Sequence, residues 1–361
     1  MLLTETQLLT ELEKIGFPPL KIKSLSMKNL TADSPKTYHP DAVLELDWQG
    51  NNNCFLTELI PVATPQNLFL GEQKLKQYFQ DPSIDKEKYH PLIVTTYLKP
   101  NELDRFANSG ISAIDLCGNG IVQIPGKWFI HRSGTKNIFP TSTPIKNIFV
   151  GTSSLVARIF FSKESFTSVN QVLDEVVIRQ GQITLPTVSK VLKVLQQELL
   201  ITKDSNKVIK LLDAKKLLSN LVENYQKPFA TNTLLGKVPD LNTLVTQLND
   251  NAKKYQIPLV AFNPNLYALM PSQSFIKLYT TNLDKLLTDI NITKTNRFPN
   301  IEIQEVSDPI IYFDTRYQND CYWLSPLQTY LELANGDSRE QDTSKQIEID
   351  LINLKYLDQK N

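Results

Sequence analysis

The chain has 361 residues, with 38 Lys+Arg against 38 Asp+Glu, so it is neutral overall and long enough for two or three domains. No apolar run approaches the roughly 18 residues a membrane span requires, and the acidic, amphipathic start lacks the basic region and unbroken apolar core of a signal peptide. Cys54, Cys117 and Cys321 stand far apart, as do His39, His90 and His131. That spacing suits a reducing cytoplasm and gives no metal-ligand pair, so no metal site or cofactor is expected.

In chain order, residues 4–15 predict an amphipathic helix with Leu8, Leu9, Leu12 and Ile15 on one face. A polar loop follows. Residues 42–48 alternate as a strand, Asn51 to Asn53 read as a turn, and 54–62 read as the hairpin partner. A helix over 65–79 turns Leu68, Leu75 and Phe79 inward. Strands are expected at 92–97, 111–116, 121–124 and 127–131, with a short helix at 100–108 and a tight turn at 117–120. Residues 1–137 therefore form an α/β domain. In the turn, Asp115 reads as its cap and Asn119 as the residue that takes a left-handed backbone. Gly118 to Gly120 lacks the extended Gly spacing and following helix of a phosphate loop.

The region 138–150, within a stretch rich in Ser, Thr, Pro and Gly, reads as a linker. Residues 154–161 and 169–176 predict two helices, and Gln180-Gly181-Gln182 a turn in which Gly supplies the permissive backbone. Thr184 is the expected N-cap of a helix over 186–198, with Pro186 in its first turn. Val188, Val191, Leu192 and Leu195 fall on one face, and Thr187, Ser189, Lys190, Lys193 and Gln196 on the other. Strands at 201–203 and 207–212 flank a turn at Ser205-Asn206. A helix followed by a short basic hairpin is the end of a winged helix-turn-helix, assigned to 151–225. Its helix suits a major groove, and Lys203, Lys207 and Lys210 suit phosphates. From 151 to 216, ten basic residues against six acidic leave a surplus of four, and the face presented decides phosphate affinity more than the global balance does.

Residues 226–361 predict a C-terminal α/β domain of unassigned role, read as a partner-binding or oligomerising surface. Helices are expected at 243–255, 283–290 and 325–333 and in the tail to about 356. Strands are expected at 259–262, 275–280 and 301–306, with a turn at 263–265. Asp314 sits at the end of an apolar piece, and Tyr322, Trp323 and Tyr330 read as core aromatics.

Three stretches together resemble the AbiEi-like antitoxins and transcriptional regulators of type IV toxin–antitoxin (abortive infection) systems. They are Gly110-Ile-Ser-Ala-Ile-Asp-Leu-Cys-Gly-Asn-Gly120, Thr187 to Leu195, and Leu324-Ser-Pro-Leu-Gln-Thr-Tyr-Leu-Glu-Leu333, in which Glu332 stands where the family has Asp. The likeness covers roughly residues 40–335. It is nearest the branch whose N-terminal domain is related to the PD-(D/E)xK nucleases. The resemblance implies an α+β multidomain protein with a restriction-endonuclease-like first domain. It also implies a DNA-binding autorepressor of a neighbouring toxin gene, with double-stranded DNA, a toxin protein and a second copy as partners. A PD-(D/E)xK site needs two acids for a divalent cation and a Lys beside the attacking water. Asp41 and Glu58 are the relic candidates for the acids, and Ile60 stands where the Lys belongs. Lys74 or Lys76 on the next helix would have to migrate into that role. The alternatives are a nuclease dependent on Mg²⁺ and targeted by the winged helix, and a protein-binding antitoxin or scaffold that does not bind DNA.

Overall fold

The computed structural model describes residues 3–26, 39–139, 147–262, 267, 275–318 and 320–357. The chain is a mixed α and β protein in two compact units, Met1–Ile145 and Lys146–Asn361. No described helix is long and apolar enough to cross a membrane.

The first unit is a seven-stranded sheet whose spatial order is its chain order. It opens with α1 (Glu5–Ile15), capped by a reciprocal pair in which the Thr4 hydroxyl accepts from Gln7 N–H and the Gln7 side chain accepts from Thr4 N–H. Strands β1 (Lys21–Ser26), β2 (Ala42–Trp48) and β3 (Asn51–Ile60) pair antiparallel. Helix α2 (Pro65–Tyr78) then carries the chain to β4 (Tyr89–Thr95), and α3 (Pro100–Ser109) carries it to β5 (Ser112–Asp115); these are the parallel pairs. β6 (Gly120–Ile124) and β7 (Trp128–Arg132) close the sheet as antiparallel strands. Side chains alternate across the sheet. Leu92 and Val94 pack with Leu8, Leu9 and Leu12 of α1, while Ile93 packs with Leu68 and Leu75 of α2 and Phe106 of α3.

Four expectations change here. Strand β1 falls where a loop was expected; it is an edge strand whose lysines blur the apolar alternation. The first hairpin turns at Gln49-Gly50, both at positive φ, and Asn51 already pairs with Trp48. A two-residue loop with left-handed backbone fits the strand twist, so the three Asn are strand, not turn. Ile15 ends α1 at 43% exposure and does not join the core. Asn119 is not left-handed, because Gly118 takes that backbone with φ of 90°.

The second unit opens with α4 (Ser154–Arg158), which tightens into a 3-10 turn at Ile159–Phe161. Then follow β8 (Ser165–Phe166), α5 (Val169–Ile178), α6 (Leu185–Gln197), β9 (Ile201–Lys203), β10 (Ile209–Leu211) and α7 (Ala214–Glu223). The three short strands form one antiparallel sheet in the order β8-β10-β9. β8 has only two residues and had no sequence signal of its own.

The remaining strands are β11 (Asn232–Lys237), β12 (Leu259–Phe262), β13 (Ile276–Thr280), β14 (Thr293–Lys294), β15 (Ile301–Glu305), β16 (Arg316–Gln318) and β17 (Cys321–Trp323). They make a mixed sheet in the order β14-β11-β15-β13-β12-β17-β16. Its helices α8 (Leu241–Tyr255) and α9 (Leu283–Leu286) contribute Leu244, Leu248, Leu283 and Leu286 to the core with Leu278, Ile301 and Ile303 of the sheet. The expected turn at 263–265 lies outside the described residues. Helices α10 (Pro326–Ala334) and α11 (Ser338–Ile352) do not pack on their own sheet alone. Leu327, Leu331, Ile347 and Leu351 share one apolar cluster with Val156, Phe160, Val188 and Leu217. Tyr330 is buried as expected, whereas Tyr322 is 43% exposed and lies against the Tyr317 ring at a centroid distance of 4.9 Å.

Candidate nucleic-acid interface

The α5–α6 turn is set by backbone hydrogen bonds. Gln180 N–H donates to Val177 C=O at 3.0 Å and Gly181 N–H to Val176 C=O at 2.9 Å, the paired bonds of a Schellman ending. The left-handed residue is Gln180, with φ of 68°, and not Gly181. Glycine is required at 181 for space. A Cβ there would stand 2.5 Å from Val176 Cγ1, 2.9 Å from Val176 O and 3.1 Å from Phe313 Cε2. The sequence locates the turn, but close approach, not backbone freedom, explains its glycine.

Helix α6 then presents two unlike faces. Val188, Val191, Leu192 and Leu195 are buried, which fixes the roll of the helix. Ser189, Lys190 and Lys193 are exposed on the other side; Thr187 and Gln196 are half-buried. Thr184 is the N-cap by backbone, but its hydroxyl meets the Thr187 hydroxyl at 2.9 Å and caps no N–H. In the hairpin, Lys203, Lys207 and Lys210 are all exposed. Its loop closes on Asp204, whose carboxylate accepts from Val208 N–H at 2.8 Å, and Lys207 takes the left-handed position with φ of 65°. Among the described residues, none of Lys190, Lys193, Lys203, Lys207 or Lys210 has an ion pair.

The basic surplus of this segment is smaller at the surface than the count suggests. Three of its ten cations are spent inside. Arg158 is buried, donating from Nε to Ser154 Oγ at 3.2 Å and from Nη1 to Gln328 Oε1 at 2.8 Å. Burial pulls its guanidinium down to about 10, against the opposing pull of Tyr225, Asp308 and Glu332. Lys163 and Arg179 both pair with Glu175 of α5, at 3.1 and 3.0 Å. Arg179 also pairs with Asp314, whose carboxylate accepts a hydrogen bond from the Ser162 hydroxyl at 2.7 Å and whose N–H donates to Arg179 C=O at 3.0 Å. Asp314 is therefore not at a strand end. It follows a 3-10 turn at Pro309–Tyr312 with left-handed backbone, φ 55°, and anchors the α5–α6 turn. Spacing within 151–225 gave no sign of a partner more than a hundred residues away.

The two acids of the N-terminal unit lie near one another at the sheet end. Asp41 precedes β2 and accepts from Leu59 N–H at 2.8 Å. Glu58, only 1% exposed on β3, accepts from the Tyr78 hydroxyl at 2.9 Å and pairs through Oε2 with Lys74 Nζ at 2.8 Å. Burial raises the Glu58 carboxyl, and the Asp41 charge adds to this; the pairing outweighs burial at half-exposed Lys74 and raises it too. Ile60 is buried beneath α2, where a Cβ on Gly71 would stand 2.6 Å from Ile60 Cδ1. That site has no room for a polar lysine, and the ammonium arrives from the helix instead. Lys76 points elsewhere, to Glu72 at 2.7 Å. Among the described residues no three His, Cys, Asp or Glu side chains gather as metal ligands.

Asp115 is fully buried and accepts four hydrogen bonds. Three come from the N–H groups of Leu98, Cys117 and Asn119 and one from the Asn119 amide, all between 2.7 and 2.8 Å. Every lone-pair direction is occupied, so its role in this structure is to hold the turn. The chain matches no protein-family model, no curated protein and no solved structure.

Proposed function

We propose that this chain is a sequence-specific regulator that binds double-stranded DNA through a winged helix-turn-helix formed by residues 151–225. What supports the reading best is Lys190 and Lys193, exposed and without an ion pair among the described residues, on one side of a helix whose other side is sealed in the core. The hairpin that follows adds Lys203, Lys207 and Lys210, and β8 supplies a third strand that braces it. In this reading α6 enters the major groove, with Ser189, Lys190, Lys193 and the ends of Thr187 and Gln196 toward base edges. The hairpin lysines meet the flanking phosphates and set register without reading sequence. The resemblance to the AbiEi-like family makes the natural target the DNA upstream of the chain's own gene, with autorepression next to a toxin gene as the outcome. The test is binding to that DNA against scrambled DNA of equal length across a salt series. Lys207→Ala should weaken binding to both and make the log–log salt slope shallower by about one unit. An unchanged slope removes the hairpin from the interface.

A second observation bears on the N-terminal unit. Lys74 places its ammonium 2.8 Å from Glu58 Oε2, supplying there the positive charge that a divalent ion would bring to such a pair of acids. We read the unit as a nuclease-derived platform that does not cut. Lys74→Met should cost roughly 1–3 kcal/mol, because it leaves a buried carboxylate with one donor fewer. Adding Glu58→Gln should restore most of that loss, since the neutral amide needs no counter-charge. The elevated Glu58 carboxyl means the folded chain keeps that proton to higher pH than the unfolded chain. Its contribution is complete below the ordinary carboxylate range and is lost as pH rises through the folded value, so Glu58→Gln should flatten that part of the stability curve. Plasmid cleavage with Mg²⁺ or Mn²⁺ that disappears in Glu58→Ala would overturn the platform reading in favour of the nuclease.

A further inference from the structure

Between the α5–α6 turn and the C-terminal sheet lies a cavity of about 260 Å³. This is just below the roughly 300 Å³ at which pockets for drug-sized ligands begin, and so the size for a one- or two-ring metabolite. Tyr312, Tyr317 and Tyr322 line it with Val260 of β12, and Lys253 of α8 and Gln180 of the turn stand on its wall. Three aromatic rings favour a flat partner, by stacking and edge contacts. The rim charges are opposite, but their engagement is unequal. Asp320 already accepts from the Tyr317 hydroxyl at 3.1 Å, whereas exposed Lys253 has no ion pair among the described residues. The donors left unanswered are those of the Lys253 ammonium, so the partner should carry an acceptor there, and a carboxylate meets that ammonium with both charge and hydrogen bonds.

We propose that this cavity binds a flat aromatic carboxylate, and that its occupancy changes the α5–α6 turn that aims α6. The link is the segment 312–317. Tyr312, Thr315 and Tyr317 face the cavity. The residues between them hold the turn, with Phe313 against Gly181, and Asp314 bonded to Arg179 through N–H and carboxylate and to Ser162. The same six residues thus serve both places, and Gln180 belongs to both. A ligand that shifts Tyr312 or Tyr317 must move Phe313 or Asp314, because packed segments of this kind change arrangement as units. By linkage, anything that alters the turn alters affinity for the carboxylate equally. The binding half of the proposal stands by itself; the regulatory half rests on the DNA-binding reading.

The test uses the full chain with indole-3-carboxylate and its neutral analogue indole-3-carboxamide, followed by ligand-observed NMR. Saturable binding is expected, with the carboxylate at least about fivefold tighter, on the order of 1 kcal/mol. Tyr322→Ala should weaken both by about tenfold, and Lys253→Glu should erase or reverse the preference for the acid; both side chains are exposed and both variants should fold. Hydrogen exchange at the amides of 180–188 should change when the acid binds, with no DNA present. Affinity for the upstream DNA should shift at least threefold under saturating acid. Failure of the carboxylate to saturate by about 10 mM, or equal binding by the two variants and the parent, overturns the site. Binding without a change in exchange overturns the coupling. A change in exchange without any DNA binding overturns the regulator reading and leaves the pocket and its coupling intact.

Discussion

The Lys190→Glu/Lys193→Glu variant is expected to lose affinity for the upstream DNA by at least about 100-fold near 0.1 M salt, with no loss of thermal stability. Each lysine in a phosphate or base contact is worth about 1–3 kcal/mol, so two together reach that figure before repulsion is counted. Reversal then adds two negative charges opposite the backbone, and the penalty grows as salt is lowered. The fold should not notice. Both side chains are exposed, neither has an ion pair among the described residues, and the buried face of α6 is made by Val188, Val191, Leu192 and Leu195. Fluorescence anisotropy and a thermal melt on the same preparation read the two quantities separately. Affinity within threefold of the parent would end the assignment of α6 as the groove-reading helix, whatever the hairpin does.

Asp115→Ala should have the largest effect on stability in the N-terminal unit, at least about 4 kcal/mol, enough to unfold it at ordinary temperature. The removed carboxylate leaves four donors in the interior, and each buried donor without a partner costs about 1–3 kcal/mol. The loss is not local. Leu98 follows β4, Cys117 and Asn119 form the turn, and Asn119 passes the connection on by donating to Thr135 C=O at 3.2 Å and accepting Thr135 N–H at 2.8 Å. One side chain ties the ends of two strands to the segment leaving β7. Asp115→Asn should cost less, since one amide oxygen still accepts, but its NH₂ must face N–H groups. Burial raises the Asp115 carboxyl despite its four donors. Its contribution is therefore greatest below the ordinary carboxylate range and shrinks as pH climbs through the folded value, a slope that Asp115→Asn should remove. Urea unfolding of the two variants at two pH values measures all of this. A change under 1 kcal/mol for Asp115→Ala would mean that water reaches the turn and satisfies its donors.

Sequence alone determined the parts whose signals are local. The 3.6-residue period of α6 fixed which of its residues are buried, because the side chains of one helix turn must share a face. The same period likewise placed Leu8, Leu9 and Leu12 of α1 and Leu68 and Leu75 of α2, though not Ile15, which stands exposed at the helix end; strands with clear alternation or a continuous apolar run, such as β2 and β4, were as legible. Short or edge strands escaped. β8 has two residues, and β1 has lysines where a pattern would need apolar side chains; both are strands because of what they pair with. Tertiary structure decided the matters that depend on distant partners. It gave Gly181 its reason, in Phe313 packed against it from the C-terminal segment, and made Arg158, Lys163 and Arg179 internal charges that no longer count toward a surface. It brought Lys74 to Glu58 from a neighbouring helix while Ile60 filled the strand position. A helix reports its own period within two turns. Which side chain from another part of the chain will fill a space or neutralise a charge is set by packing, and packing exists only once the chain has closed on itself.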